Sequence, residues 1–179
     1  MHNFLKKYYF IRKFDKAHLI KLNKKIELIY RNHDNPNDIQ TIRKITQFCK
    51  RNNRKFYISN NVKLAIKFRA NGVYLSAFNK SLRHNCFKIN KKFNFIGSAH
   101  NITEINHKIK QKVNTIFLCP VFKNKRKILG IYGFNKLSKL SKVSCVVLGG
   151  VNSANLRRIG LTDAFGFAGI DYFNKKKGP

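Results

Sequence analysis

Short apolar runs alternate with polar, helix-like stretches along the whole chain of 179 residues. The apolar runs are rich in Val, Ile, Phe and Tyr, the residues that favour β-strands, and eight such runs can be recognised. The pattern therefore predicts eight short strands. The eight predicted strands are YYFIRKF (8–14), IELIYR (26–31), KFYIS (55–59), GVYLS (72–76), FNFIGS (93–98), TIFLCPVF (115–122), VSCVVLGG (143–150) and AFGFAGI (164–170).

Several of the polar stretches between these strands carry the periodicity of an amphipathic helix. Within residues 37–52, apolar side chains recur at helical spacing, and Asn37 or Asp38 can cap the start of the helix. A polar face on the opposite side indicates that such a helix packs with one side on a core. The other predicted helices cover residues 62–69, 102–113 and 152–160.

Strands that alternate with helices predict parallel pairing through right-handed crossovers. Eight strands indicate a compact (β/α)8 TIM barrel, which we expect to occupy residues 1–179 as a single domain. An open, doubly wound sheet is the alternative. Only DYFNKKKGP follows the last strand, so we expect the last helix to be nearly missing. Barrel surface left uncovered there allows for a homodimer.

The charge of the chain is extreme, with 38 Lys and Arg against 7 Asp and Glu. Such an excess can indicate nucleic-acid binding through phosphate neutralisation. It can also reflect drift in composition, because Lys, Asn, Ile, Phe and Tyr are abundant together, as in AT-rich coding sequences. The basic residues are spread over the whole chain, which favours drift. We therefore expect small anionic ligands and no specific nucleic-acid partner.

Hydropathy and cysteine usage predict a cytoplasmic protein without a membrane partner. The chain has no apolar run long enough for a membrane span, and its first residues lack the features of a signal peptide. The four cysteines form no C-x-x-C pair, so we expect reduced thiols and no zinc site.

Glycines occupy the ends of the last two predicted strands, at Gly149-Gly150 and at Gly169 before Ile170. In a (β/α)8 barrel, phosphate binds at the carboxyl ends of strands seven and eight, where glycines let backbone N–H groups approach it. We therefore predict that these residues bind the phosphate of a small phosphorylated substrate. A plain tight turn would produce the same glycine pair, and this alternative stays open at this point.

Several motifs, in the same order and at similar spacing, resemble the thiamine phosphate synthase family and its relative, the thiazole tautomerase TenI. GGVNSAN resembles the pattern G-G-[IV]-x-x-x-N, and FIGSAHNITEI resembles I-G-x-S-x-H-x-x-x-E. GVYLS is similar to the strand G-V-H-L-G of that family. The remaining matches are FLCPVFKNKRK (117–127), ISNNVKLAIKFRANGVYL (58–75) and IYR (29–31), so that the resemblance covers residues 8–173.

This resemblance implies a TIM barrel that joins a pyrimidine diphosphate to a thiazole phosphate with release of pyrophosphate. In the family, Mg²⁺ and basic residues assist the departure of pyrophosphate. Arg31 and Lys127 match family residues of this kind and are the expected catalytic residues. Ser98 and His100 match the S-x-H element and are expected to contact the substrate. Arg31 and His100 could instead be structural residues of the barrel rim.

The resemblance is incomplete at the metal site. The two Asp residues that bind Mg²⁺ in the family fall at Asn60 and Asn79 in this chain, so that Mg²⁺ is doubtful here as a cofactor. Aromatisation of the TenI type needs no metal, but the His of that branch is replaced by Pro120. A degenerate paralogue, which only binds thiazole phosphate or a related ligand, is the alternative to an active synthase.

Overall fold

The computed structural model describes residues 6–86, 89–122 and 128–174. Eight parallel strands pair in the order of the chain, and the last strand pairs with the first, so the sheet closes into a barrel. The predicted (β/α)8 fold is thereby confirmed, and the open sheet is excluded. The strands are β1 Lys6–Ile11, β2 Glu27–Tyr30, β3 Phe56–Ser59, β4 Gly72–Leu75, β5 Asn94–Ala99, β6 Thr115–Leu118, β7 Ser144–Leu148 and β8 Gly166–Gly169.

The strand side chains alternate between two layers that are both buried. The strand sequences are continuous apolar runs because neither face of a strand meets solvent. One layer fills the inside of the barrel, and the other packs against the helices. The inner layer is strongly aromatic. Its buried residues are Tyr8, Phe10, Ile29, Tyr57, Tyr74, Ile96, Phe117, Val146 and Ala168.

Helices cover the outside of the barrel, and polar side chains cap the start of two of them, one of these caps being the predicted Asp38. Asp38 accepts a hydrogen bond from Thr41 N at the start of helix α2 (Ile39–Arg51), and Asn101 accepts one from Glu104 N at the start of helix α4 (Ile102–Lys110). None of the described helices is long and apolar enough to cross a membrane. The helices are α1 Lys16–Lys21, α2 Ile39–Arg51, α3 Val62–Lys67, α4 Ile102–Lys110, α5 Gly130–Leu140 and α6 Asp171–Asn174.

The structure corrects several of the predicted boundaries. The short helix predicted over 152–160 is a 3-10 helix that covers only Leu156–Leu161, since Asn152 and Asn155 are used in a turn before it. The predicted strand 115–122 ends at Leu118, where the chain turns. Helices α1 and α5 were not among the predicted helices, and a second short 3-10 helix covers Arg83–Cys86.

Candidate active site

Arg31 follows β2 at the carboxyl end of the barrel, the end where barrel enzymes carry their chemistry. Its backbone N–H donates a 2.9 Å hydrogen bond to the carbonyl oxygen of Ile11 at the end of β1. Its guanidinium carbon lies 4.6 Å from the ring centroid of Phe10, an inner-layer residue. A half-buried cation is therefore held over the aromatic filling of the barrel, with a favourable cation–π contact.

Tyr74 and Ser98 bring polar groups next to Arg31. Burial raises the pKa of Tyr74 to about 12, and the Ser98 hydroxyl and the Arg31 charge oppose this rise. Ser98 Oγ also accepts a 3.0 Å hydrogen bond from Ala77 N, which ties the end of β5 to the end of β4. Arg31 after β2, Tyr74 on β4 and Ser98 on β5 thus form one polar cluster.

Cys119 also belongs to this neighbourhood, because it follows β6 and interacts electrostatically with Arg31. Burial raises the pKa of its thiol to about 12, and the Glu104 carboxylate adds to the rise. At neutral pH the side chain is therefore a neutral thiol, and the thiolate needed for nucleophilic attack is not formed. Cys119 is therefore not a candidate nucleophile of the site. All four cysteines of the chain are free thiols.

The Gly149-Gly150 pair forms a sharp turn after β7, with φ angles of 98° and 73°. A Cβ atom on Gly149 would lie 2.9 Å from Pro120 Cα, so the turn also packs closely on the segment after β6. Asn155 closes the turn by donating a 2.8 Å hydrogen bond from Nδ2 to the carbonyl oxygen of Gly150. Backbone conformation and packing are thus sufficient to require glycine at position 149, and phosphate binding at this turn stays a prediction.

The end of β8 lies on the same rim as the end of β7. A Cβ atom on Gly169 would meet Val151 at 3.9 Å, which is an ordinary contact. Ile170 packs against the inner layer and, with Asp171, lines a cleft of about 610 Å³ beside β1 and α1. Arg12 and Lys13 line the same cleft, so cations stand next to the predicted phosphate-binding residues.

His100 is exposed, and its nearest polar partner is a carboxylate of α4. His100 Nδ1 lies 2.8 Å from Glu104 Oε2, and the His100 backbone N–H donates to the same oxygen at 2.7 Å. Glu104 therefore fixes the orientation of the imidazole on the outer part of the rim. The structure joins Ser98 to the Arg31 cluster but shows no such contact for His100.

Asn60 and Asn79, the expected metal positions, lie at neighbouring strand ends and touch each other. Asn60 Oδ1 accepts hydrogen bonds from Asn79 Nδ2 at 3.2 Å, from Ser76 N at 3.0 Å and from Ser76 Oγ at 2.8 Å. Asn79 Oδ1 accepts one from Ser81 N at 3.0 Å. Both amide oxygens are already occupied as hydrogen-bond acceptors.

These residues do not fit a magnesium ion. Mg²⁺ is bound in proteins through carboxylate oxygens with free lone pairs, and Asn60 Oδ1 already accepts three hydrogen bonds. Within the described ranges no three His, Cys, Asp or Glu side chains cluster as metal ligands would. Asn60 and Asn79 therefore do not supply the ligands of a magnesium ion.

The sequence analysis missed Tyr74 and Lys108 as residues of this region, and Lys127 lies outside the described residues. Lys108 carried a signal that could have been recognised, because it stands on the apolar side of an amphipathic helix, three residues after the buried Ile105. A lysine at such a position is buried only when acceptors surround its ammonium group.

Comparisons with known proteins agree with this architecture. The family model of thiamine monophosphate synthase matches residues 15–173. A thiamine-phosphate synthase of Prochlorococcus marinus subsp. pastoris is 30% identical over 117 residues, which cover 63% of this chain and 33% of that protein. A second thiamine-phosphate synthase, from another Prochlorococcus marinus strain, is 29% identical over 137 residues, covering 73% of this chain and 39% of that protein. The chain thus matches only 33–39% of the length of these relatives.

Solved structures support the fold. A thiamine phosphate pyrophosphorylase from Pyrococcus furiosus superposes with a TM-score of 0.70 at 20% identity, covering 94% of this chain and 86% of that one. The native KDPGal structure gives a TM-score of 0.71 at 12% identity, covering 100% of this chain and 89% of that one. At sequence identities of 12–20%, these superpositions support the fold alone. Because the family model matches most of the chain, from the first helix to the last, the chain belongs to the thiamine monophosphate synthase family.

Proposed function

We propose that this barrel binds phosphorylated thiamine precursors at its carboxyl-terminal rim and joins hydroxymethylpyrimidine diphosphate to thiazole phosphate. The observation that carries the proposal is the place of Arg31. Its guanidinium is held over Phe10 at the mouth of the barrel, at the position of the family arginine expected to contact pyrophosphate. The Gly149-Gly150 turn follows β7 at the same end of the barrel.

In the proposed reaction, the bond between the pyrimidine methylene carbon and the diphosphate oxygen breaks first. Pyrophosphate leaves with the electron pair, and the thiazole nitrogen then attacks the resulting carbocation to form the new C–N bond. Arg31 stabilises the negative charge that develops on the leaving oxygen. Lys127 is proposed to assist it, and Arg12 and Lys13 place further positive charge beside the rim cleft.

A second function, ligand binding without turnover, is favoured by the Asn60–Asn79 contact. Two neutral amides replace the family carboxylates, and their oxygens are engaged in hydrogen bonds. If departure of pyrophosphate depends on a metal ion in this chain as well, Asn60 and Asn79 do not supply its ligands. The chain would then retain the binding of thiazole phosphate and lose the joining reaction.

The deciding experiment is a turnover assay with both substrates, in which thiamine phosphate and pyrophosphate are measured with MgCl₂ and with EDTA. We expect equal amounts of the two products. Arg31→Ala should reduce kcat/KM by about 10²- to 10³-fold, as loss of one charge-stabilising group does in other enzymes. Arg43→Ala is the matched control, because Arg43 is an exposed arginine on the outer helix α2.

Binding measurements separate the two functions when turnover is absent. Calorimetric binding of thiazole phosphate without product formation would establish the binding-only function. Absence of both turnover and binding of either substrate would refute both. Equal loss of activity in Arg31→Ala and Arg43→Ala would show that the position of Arg31 at the barrel mouth does not matter.

A further inference from the structure

Lys108 on α4 is completely buried, although lysine is among the residues least often found inside proteins. Its Nζ donates three hydrogen bonds of 2.8 Å each, to the carbonyl oxygens of Ser76 and Asn79 and to Gln111 Oε1. No carboxylate among the described residues forms an ion pair with it. The three atoms that accept hydrogen bonds from the ammonium group are therefore neutral oxygens, arranged in the way that protein oxygens surround a bound cation.

The surroundings of Lys108 accommodate the cation specifically. An ammonium group has three hydrogens to donate and a neutral amine has two, so three acceptor oxygens match the charged form. Burial lowers the pKa of Lys108 to about 8, and the Glu104 carboxylate opposes this shift. Gly97 on β5 leaves space for the side chain, because a Cβ atom there would lie 3.0 Å from Lys108 Cδ.

Two of the three acceptors of Lys108, the carbonyl oxygens of Ser76 and Asn79, belong to the segment that follows β4, residues 76–81, which we call the β4 rim segment. Gln111 holds the same segment from a second side, since its Nε2 donates to the carbonyl oxygens of Asn79 and Ser81 at 3.0 and 2.8 Å. The β4 rim segment in turn donates hydrogen bonds to Asn60 and, through Ala77 N, to Ser98. Lys108 thus contacts the segment that hydrogen-bonds to two residues of the candidate active site, Asn60 and Ser98.

We propose that Lys108 is a positioning residue whose buried ammonium group holds the β4 rim segment in place, as a bound metal ion would, so that this part of the rim takes up no Mg²⁺. The hydrogen-bonded amides of Asn60 and Asn79 and the three oxygens around Nζ are the two observations that support it. The proposal concerns the organisation of the rim and is tested without reference to turnover.

The first test is amide hydrogen exchange at neutral pH in the wild type, in Lys108→Met and in Lys110→Met. Lys110 is an exposed lysine of the same helix and is the matched control. In Lys108→Met the amides of Ser76, Ala77, Asn79 and Ser81 should exchange about tenfold faster or more, because each lost hydrogen bond to a charged donor is costly. Amides of β7 should keep their wild-type rates, which separates local loosening from global unfolding.

The second test is chemical rescue of Lys108→Ala by propylammonium chloride, which restores the missing carbons and the ammonium group. Tetramethylammonium chloride at the same concentration controls for ionic strength and lacks N–H donors. We expect propylammonium to slow exchange in the β4 rim segment of Lys108→Ala and to leave the wild type unchanged. If the lysine side chain only filled space, Lys108→Met, which keeps a long apolar side chain and lacks the ammonium group, would exchange as slowly as the wild type.

The third test adds MgCl₂ alone to the wild type. We expect no saturable change in the hydrogen exchange of the β4 rim segment. A calorimetric titration with Mg²⁺ should likewise show no saturable binding heat. Saturable protection of this segment by Mg²⁺ would overturn the proposal. Unchanged exchange in Lys108→Met, or failure of propylammonium to act on Lys108→Ala while that variant remains folded, would overturn it as well.

Discussion

Gly149 shows how a single position can be required by backbone geometry before any ligand is considered. Its φ of 98° is unfavourable for residues with a side chain, and a Cβ atom would stand 2.9 Å from Pro120 Cα. We predict that Gly149→Ala lowers the free energy of unfolding by about 2–4 kcal/mol, from backbone strain and steric overlap combined. Urea denaturation of the purified variant measures this change.

Gly169→Ala provides the comparison for Gly149→Ala. A Cβ atom at position 169 would make only ordinary contacts, the nearest at 3.8 Å to Tyr172 Cβ. We expect this variant to stay within about 1 kcal/mol of the wild type, as changes without strain or overlap usually do. Equal destabilisation of the two variants would show that the close approach of Pro120 to Gly149 is unimportant for stability.

At the scale of elements, Arg54 connects α1 and the start of β2 to the segment between α2 and β3. Its guanidinium is buried and donates to four backbone carbonyls, those of Leu19, Leu22, Asn23 and Ile26, at 2.9–3.4 Å. Two of these carbonyls lie at the end of α1, where a helix leaves acceptors without partners. One side chain therefore supplies the carboxyl-terminal cap of a helix that is distant in sequence.

We predict that Arg54→Lys destabilises the protein by about 2–4 kcal/mol, because a lysine has three donors on one atom and cannot reach four separated carbonyls. Thermal and urea unfolding measure the change, with the exposed Arg51→Lys on α2 as the control. Hydrogen exchange should also become faster in α1. A lysine variant as stable as the wild type would show that charge alone, without the planar fork of the guanidinium, holds these elements together.

At the scale of the whole molecule, the positive side chains behind the net charge of +31 are not concentrated in one region. Arg12 and Lys13 line the cleft at the carboxyl end of the barrel, whereas Lys50 and Arg69 line a cavity at the amino end. Such a distribution attracts polyanions to both ends of the barrel and does not concentrate the charge in one nucleic-acid-binding surface. We therefore propose that binding to nucleic acid is unspecific.

We predict a dissociation constant of about 10⁻⁴–10⁻⁶ M for duplex DNA at physiological salt, with a steep loss of affinity as salt increases. Fluorescence anisotropy with two duplexes of unrelated sequence measures both quantities, and the two duplexes should bind equally. A tight complex with one duplex that persists in high salt would contradict this expectation and would indicate a nucleic-acid function for the barrel.

The fold followed from local patterns to a large extent. Apolar runs alternating with amphipathic helices predicted eight parallel strands, and the right-handed crossover rule together with their number predicted closure. The boundaries were less accurate. Residues 152–160 resembled a helix in composition, but Asn152 and Asn155 hydrogen-bond each other across the turn after β7, and this contact delays the helical turn until Leu156.

The sequence by itself determined the barrel, the family and the positions of Arg31, Asn60 and Asn79, because these depend on short-range periodicity and on motifs within one loop. Only the tertiary structure decided that the two asparagines engage each other and that Lys108 is buried against the β4 rim segment. Lys108 and Ser76 are 32 residues apart, and their contact exists only because closing the barrel packs α4 against the rim segment. Local patterns specify which side of a helix is buried, and packing between distant segments specifies which oxygens meet a buried charge.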